Sequence, residues 1–162
     1  MKRALLLLAF CGCLSTDKPT YQQMDTKRPK VSSISPGMGD QYGGDGGIPT
    51  LTPGEIITIT FSEPMDLESL RPGIAIRDIN RVEQPLNIYV APSVLATLGI
   101  NQMDSDYSFP VQVSSPSGLT PGSFQLILRE LLIDQQGNTL EVDLKDGGIS
   151  DNGYVATFAV QQ

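Results

Sequence analysis

The sequence predicts an all-β fold: a Greek-key β-sandwich of about seven to nine short strands, with one short helix near 93–99. Three observations carry that prediction. Residues 55–61 (EIITITF) alternate, with Ile57, Ile59 and Phe61 on one face and Thr58 and Thr60 on the other, the period of a strand with one buried side. Gly (16) and Pro (12) outnumber Lys plus Arg (11), and charged residues are only 18 % of the chain, a composition of many turns rather than of amphipathic helices. Similar alternating runs recur along the chain, separated by Gly, Pro, Asn and Asp clusters. At 162 residues there is enough chain for one domain with a buried core.

The N-terminus precedes the fold. Lys2 and Arg3 are followed by an apolar run over 4–10 and by Cys11-Gly12-Cys13, which reads as an export signal far too short to span a membrane as a helix. The segment resembles a bacterial lipoprotein signal, whose peptidase cuts just before the cysteine that receives the lipid and wants a small residue ahead of it. Gly12 favours Cys13, and Phe10 argues against Cys11. An ordinary secretory signal, or a start codon set too far upstream, is the competing reading. The expected organisation is a signal peptide over 1–12, lipidated Cys13 with a flexible tether over 13–29, and a sandwich domain over 30–162. The tether is read from its polar, proline-bearing, aperiodic composition.

Removal of Lys2 and Arg3 takes the formal charge from 11 − 18 = −7 to 9 − 18 = −9. An acidic surface without a basic run argues against nucleic acid and against adhesion to anionic headgroups, so the expected membrane contact is the covalent lipid. With Cys13 consumed, no disulfide forms, and stability rests on the core.

In chain order, 31–35 reads as an edge strand stopped by Pro36, and 37–47, with six glycines in eleven residues, as a loop. No Gly-Lys-Ser/Thr ending or strand–loop–helix unit marks that loop as a phosphate cradle. Pro64 ends the 55–61 strand, and 67–72 bends the chain back. Ile74–Asp78 and 82–90 read as a hairpin turned at Asn80-Arg81, with Leu86, Ile88 and Val90 on one face and Pro85 marking an edge or bulge. Ser93 reads as the cap of a helix carrying Val94, Leu95 and Leu98, ended by Gly99. Tyr107, Phe109, Val111 and Val113 alternate, with Pro110 demoting that run to an edge or weakening its start. Residues 124–129 form a strong strand, and Asp134-Gln135-Gln136-Gly137-Asn138 a turn in which Gly137 takes positive φ and Asp134 bonds the backbone two residues on. Residues 140–144 alternate, 146–153 is a loop, and 154–160 closes the chain with Tyr154, Ala156, Phe158 and Val160 inward.

Three of these stretches resemble one family: Val-Ser-Ser-Ile-Ser-Pro at 31–36, Ile-Thr-Ile-Thr-Phe-Ser-Glu-Pro-Met-Asp at 57–66, and Leu-Thr-Pro-Gly-Ser-Phe-Gln-Leu through Asp-Gln-Gln-Gly-Asn-Thr-Leu at 119–140. Together they look like the bacterial Ig-like domain of the S-layer protein (SbsA) type, over roughly 30–162. The resemblance implies a spacer, stalk or interaction module of envelope proteins with no shared catalytic residues. The long 37–47 loop and the 92–106 excursion depart from the family's pattern. The expected role is therefore a binding module for another envelope or surface protein, contacted by the 37–47 loop, with Gly39, Tyr42 and Asp45, and by the 92–106 excursion. Leu14 after the lipid cysteine favours, by family analogy, the outer membrane or cell surface. Antibody-type domains are excluded as close kin, because Trp is absent and no inter-sheet cysteine pair exists.

With no histidine in the chain, Ser-His and Cys-His nucleophiles and His-ligated zinc or copper are excluded. Glu63 with Asp66, or Asp104 with Asp106, would be the carboxylate pairs of a hydrolase, but acids in turns ordinarily bond nearby N–H groups, and no enzyme is expected. Calcium prefers loops rich in carboxylate and carbonyl oxygen. Its candidate ligands are Asp134 and Asn138, Asp104 and Asp106, and Asp146 and Asp151, none in EF-hand spacing. Structural turns are the alternative. The competing functional reading is a structural or calcium-stabilised envelope component with no dedicated partner. Carbohydrate binding is disfavoured because most aromatics fall on inward strand faces, Tyr21 and Tyr42 excepted.

Overall fold

The computed structural model describes residues 26–36, 49–96, 98, 108–141 and 153–161. Eight strands and two short helices follow in chain order: β1 (Val31–Ser35), β2 (Thr50–Leu51), β3 (Ile57–Phe61), α1 (Leu67–Gly73), β4 (Ile74–Asp78), β5 (Asn87–Tyr89), α2 (Pro92–Leu95), β6 (Phe109–Ser114), β7 (Gly122–Arg129) and β8 (Gly153–Val160). They form two four-stranded sheets, ordered β1-β3-β6-β5 and β2-β8-β7-β4. The first order, and β8-β7-β4 within the second, are those of the two sheets of a constant-type immunoglobulin domain. β2 is the addition, pairing in parallel with β8. The Greek-key sandwich expected from the alternating runs is the fold observed.

The period-2 pattern does the work predicted for it. Ile57, Ile59 and Phe61 are buried, and they face Val113, Val111 and Phe109 across the ladder. Leu126, Leu128, Ala156 and Phe158 close the core from the second sheet, where Phe124 and Phe158 stack at 5.7 Å between ring centroids. Each such fully buried side chain contributes roughly 1.5–3 kcal/mol over an exposed one. The sandwich is filled: a cleft between the sheets beside Leu51, Ile57, Val113 and Val160 holds about 10 Å³, room for about one water.

Register fixes two poles. At one, Val31, Phe61 and Phe109 lie side by side, as do Ile74 with Leu128 and Arg129 with Gly153. At the other lie Ser35 and Thr58, Ile57 and Val113, Asp78 and Phe124, and Gly122 with Val160. β1 enters at the first pole and β8 ends at the second.

Several expectations need correction. Residues 67–72 are not a simple bend. Asp66 Oδ2 accepts from Ser69 N at 3.1 Å and caps α1, satisfying a free helical N–H. Only residues 82–84 return along β4, with Asp78 N donating to Val82 O at 3.0 Å and Gln84 N to Ile76 O at 2.8 Å. After a bridge between Arg77 and Glu83, the chain passes Pro85 and joins the other sheet as β5 beside β6. β6 is an interior strand: Pro110 pairs with Thr60, and β5 reaches only Gln112, so proline's missing donor falls where the far side carries no ladder. α2 begins at Pro92, with Ala91 rather than Ser93 at its N-cap. Pro at the first helical position loses no intrahelical bond. Tyr107, Gly99 and residues 142–152 lie outside the described residues.

Replacing Ile59 by Ala is expected to cost about 2–5 kcal/mol, whereas Thr60→Ala, one residue along and facing outward, should stay within about 1 kcal/mol. Urea denaturation midpoints measure both, and equal losses would contradict the assigned register.

Candidate functional site

Two of the three stretches that carried the family resemblance, 57–66 and 119–140, meet in space. Asp66 N donates to Ile133 O at 2.9 Å, Gln135 N donates to Pro64 O at 3.3 Å, and Met65 bridges Asp134 in antiparallel fashion. Met65 is fully buried beneath them. Ser69, also buried, joins the same assembly: its Oγ donates to Asp66 O at 2.7 Å and accepts from Ile133 N at 3.3 Å. Gly73 lies so close to Leu132 that an added Cβ would sit 2.5 Å from Leu132 Cγ, so no larger residue fits there without displacing that leucine.

Asp134 is the polar centre of this lock. Only 1 % of it is exposed. Its Oδ1 accepts from Gln136 N and Asn138 N, each at 2.8 Å, and its Oδ2 accepts from Asn138 Nδ2 at 2.8 Å. Its own N–H donates to Asn138 O at 3.0 Å, and Gly137 takes φ 88°, the left-handed conformation that costs glycine least. The predicted bond two residues on and the positive φ are both present. Three donors offset the cost of burying the carboxylate. They also occupy the oxygens that a calcium ion would need. Asp134 and Asn138 are thus brought together as a hydrogen-bonded turn, with the asparagine amide pointing its donor at the carboxylate.

The segment expected as the end of the tether is fastened to this lock. Arg28 Nε donates to Thr139 O at 2.9 Å, and Nη2 donates to Thr139 Oγ1 at 2.7 Å and to Leu140 O at 2.9 Å. Glu141 N donates to Pro29 O at 2.7 Å, and Lys30 N donates to Ser62 Oγ at 2.9 Å. Lys27 Nζ lies 3.3 Å from Glu63 Oε1, and Lys30 Nζ lies 3.2 Å from Glu141 Oε2. Residues 27–29 therefore belong with the domain, not ahead of it. Glu63 and Asp66, the carboxylate pair weighed for catalysis, divide their work: Glu63 pairs with Lys27 and Asp66 caps α1.

The two outer faces of the sandwich differ. On the second sheet, Glu83 Oε1 lies 3.8 Å from Arg77 Nε and forms a tight ion pair with Arg129 Nη2. Arg77 and Arg129 flank the paired Ala75 and Ile127, which are buried although they lie outside the main core; long arginine stems cover apolar surface while their heads stay wet. Beside them a shallow groove of about 310 Å³ is lined by Arg77, Arg81, Ser123, Gln125 and Thr157, among others. On the first sheet, the outward positions are Ser, Thr, Asn, Gln, Pro and Tyr. Tyr89, 53 % exposed, corrects the expectation that Tyr21 and Tyr42 are the exceptions to inward-facing aromatics, since its offset from Leu86, Ile88 and Val90 places it on the opposite face.

Among the described residues no three or more Cys, Asp and Glu side chains form a cluster able to hold a metal, and no helix is long and apolar enough to cross a membrane. Cys11, Cys13, Gly39, Tyr42, Asp45, Asp104, Asp106, Asp146 and Asp151 lie outside the described residues.

No protein-family profile matches the sequence, and no curated protein does. Solved structures similar to the chain include the S-layer protein rSbsC(31-844), at 13 % identity and TM-score 0.45 over 82 % of this chain and 14 % of that one. The N-terminal part of the bacterial S-layer protein SbsC aligns at 12 % identity and TM-score 0.46, over 83 % of this chain and 24 % of that one. PcoC, a methionine-rich copper resistance protein from Escherichia coli, aligns at 15 % identity and TM-score 0.42, over 83 % of this chain and 100 % of that one. The chain thus spans less than a quarter of either S-layer fragment's length.

Asp134→Ala would strand three N–H donors inside the lock and is expected to destabilise the protein by about 2–4 kcal/mol. Asp134→Asn, which keeps one acceptor, should lose less. Chemical denaturation measures both, and a neutral Asp134→Ala would show that the turn holds itself without the carboxylate.

Proposed function

We propose that this chain is a non-enzymatic, membrane-anchored envelope lipoprotein whose Ig-like domain is an interaction module for another envelope or surface protein. One observation carries the reading. The chain enters the domain at one pole, where Lys27–Lys30 are fastened to the lock, and the stems of the glycine-rich loop, Ser35 and Thr50, lie toward the other pole. A lipid on Cys13, followed by residues 14–26 as a tether, would hold the lock toward the membrane. It would turn the loop bearing Gly39, Tyr42 and Asp45 away from the membrane, toward a partner. Stable anchoring takes more than one acyl chain, as bacterial lipoproteins carry, and outer-membrane or surface placement follows Leu14 by family analogy.

The carboxylates weighed for hydrolysis or calcium are spent on structure at Glu63, Asp66 and Asp134, which favours a binding role over a catalytic one. The three donors already on Asp134 weigh against calcium at the Asp134–Asn138 turn.

Metabolic labelling with a palmitate analogue and membrane fractionation test the anchor. Cys13→Ala is expected to abolish labelling and release the protein to the soluble fraction, with Cys11→Ala unchanged. Loss in Cys11→Ala instead would move the anchor, and labelling of neither form would remove it. For the partner, Tyr42→benzoylphenylalanine should give a covalent adduct with one envelope protein on irradiation of intact cells. An adduct-free result would overturn the loop assignment.

A further inference from the structure

The outer face of the β1-β3-β6-β5 sheet has a composition unlike the rest of the molecule. Register sets Ser35, Thr58, Gln112 and Tyr89 side by side across all four strands, and Ser33, Thr60 and Pro110 in the next outward row. Asn87 and Ser114 pair at the edge beyond. No outward strand residue on this face is charged, in a chain of formal charge −7. The opposite face carries Arg77, Glu83 and Arg129. Adjacent strands are about 4.8 Å apart, so the four-residue row is about 14 Å across. It offers hydroxyl and amide groups that both donate and accept, and ends on the half-exposed ring of Tyr89.

We propose that this face binds a neutral polysaccharide, with the Tyr89 ring stacking on a sugar face and Ser35, Thr58 and Gln112 bonding its hydroxyls. The chemistry selects that occupant over others. A protein partner would ordinarily bury an apolar and aromatic centre with arginine anchors, whereas this face has only Tyr89, at its edge, and Pro110. A second copy would meet hydroxyls with hydroxyls and no apolar core. Nucleic acid or an acidic glycan would find no cation here and a net negative protein around it. A neutral polyol matches an uncharged face of mixed donors and acceptors, and the exposed aromatic that sequence alone did not supply is present. The inference does not depend on the protein partner proposed above, since it uses the sandwich's flank and not its pole.

Affinity electrophoresis tests it. The full chain, purified in a neutral detergent, migrates on its own negative charge through native gels containing laminarin, galactomannan or dextran, with polygalacturonate as the acidic control. At least one neutral glycan is expected to retard it. That retardation should weaken about tenfold in Tyr89→Ala and fall in Gln112→Ala, with melting unchanged. Glu83→Ala, on the opposite face, should bind as the natural chain does. Three results would each overturn the proposal: no retardation by any of the neutral glycans, equal retardation by polygalacturonate, or retardation indifferent to both Tyr89→Ala and Gln112→Ala.

Discussion

Two turns far apart in the sequence, 62–66 and 134–138, hold each other in place, and the strands of both sheets run out from them. β3 leads into the first turn and β7 into the segment before the second. Asp134 supplies the internal bonds of its own turn, and the backbone of 64–66 donates to Ile133 O and accepts from Gln135 N. The sandwich needs such a closure because its two sheets share side chains but no ladder hydrogen bonds. A joint at the pole sets how one sheet sits on the other.

The lock also holds residues 27–30, near the start of the described chain. Arg28 spreads its guanidinium over Thr139 and Leu140, a planar donor array that lysine cannot reproduce. An exposed ion pair such as Lys30–Glu141 adds little alone, but here it accompanies backbone bonds at Pro29 and Lys30. A chain anchored upstream would therefore pull on the lock rather than on a loose strand end. Poles and flanks consequently divide the surface. One pole receives the chain, the other carries Ser35 and Thr50, one flank is charged and the other is neutral.

Much of this was legible from residues alone. The alternation in β3, β7 and β8 identified the inward faces, and Asp134 with Gly137 announced a turn through chemistry that few other residues supply. What failed to show has physical reasons. α1 is too short for an apolar period, and its one clear signal, Asp66 three residues before Ser69, sits inside a stretch that also reads as a turn. The sheet change before β5 is a matter of which partner wins. Proline at 85 and the partly buried Leu86, Ile88 and Val90 suit either sheet until β6 is present to pair with. Arg28 lay in a polar segment whose composition resembles a linker, and only a distant partner, 111 residues away, distinguishes it. The neutral flank is invisible in one dimension, because its row draws one residue from each of four strands.

Native-state hydrogen exchange on the amides of Asp66, Gln135 and Asn138 tests the central role of the lock most directly. If both sheets depend on it, these amides open only with the whole molecule, at the free energy of global unfolding and with the denaturant dependence of the core amides of β3 and β7. Exchange through a local opening, well below the global value while β3 and β7 stay protected, would show that the sandwich closes without it.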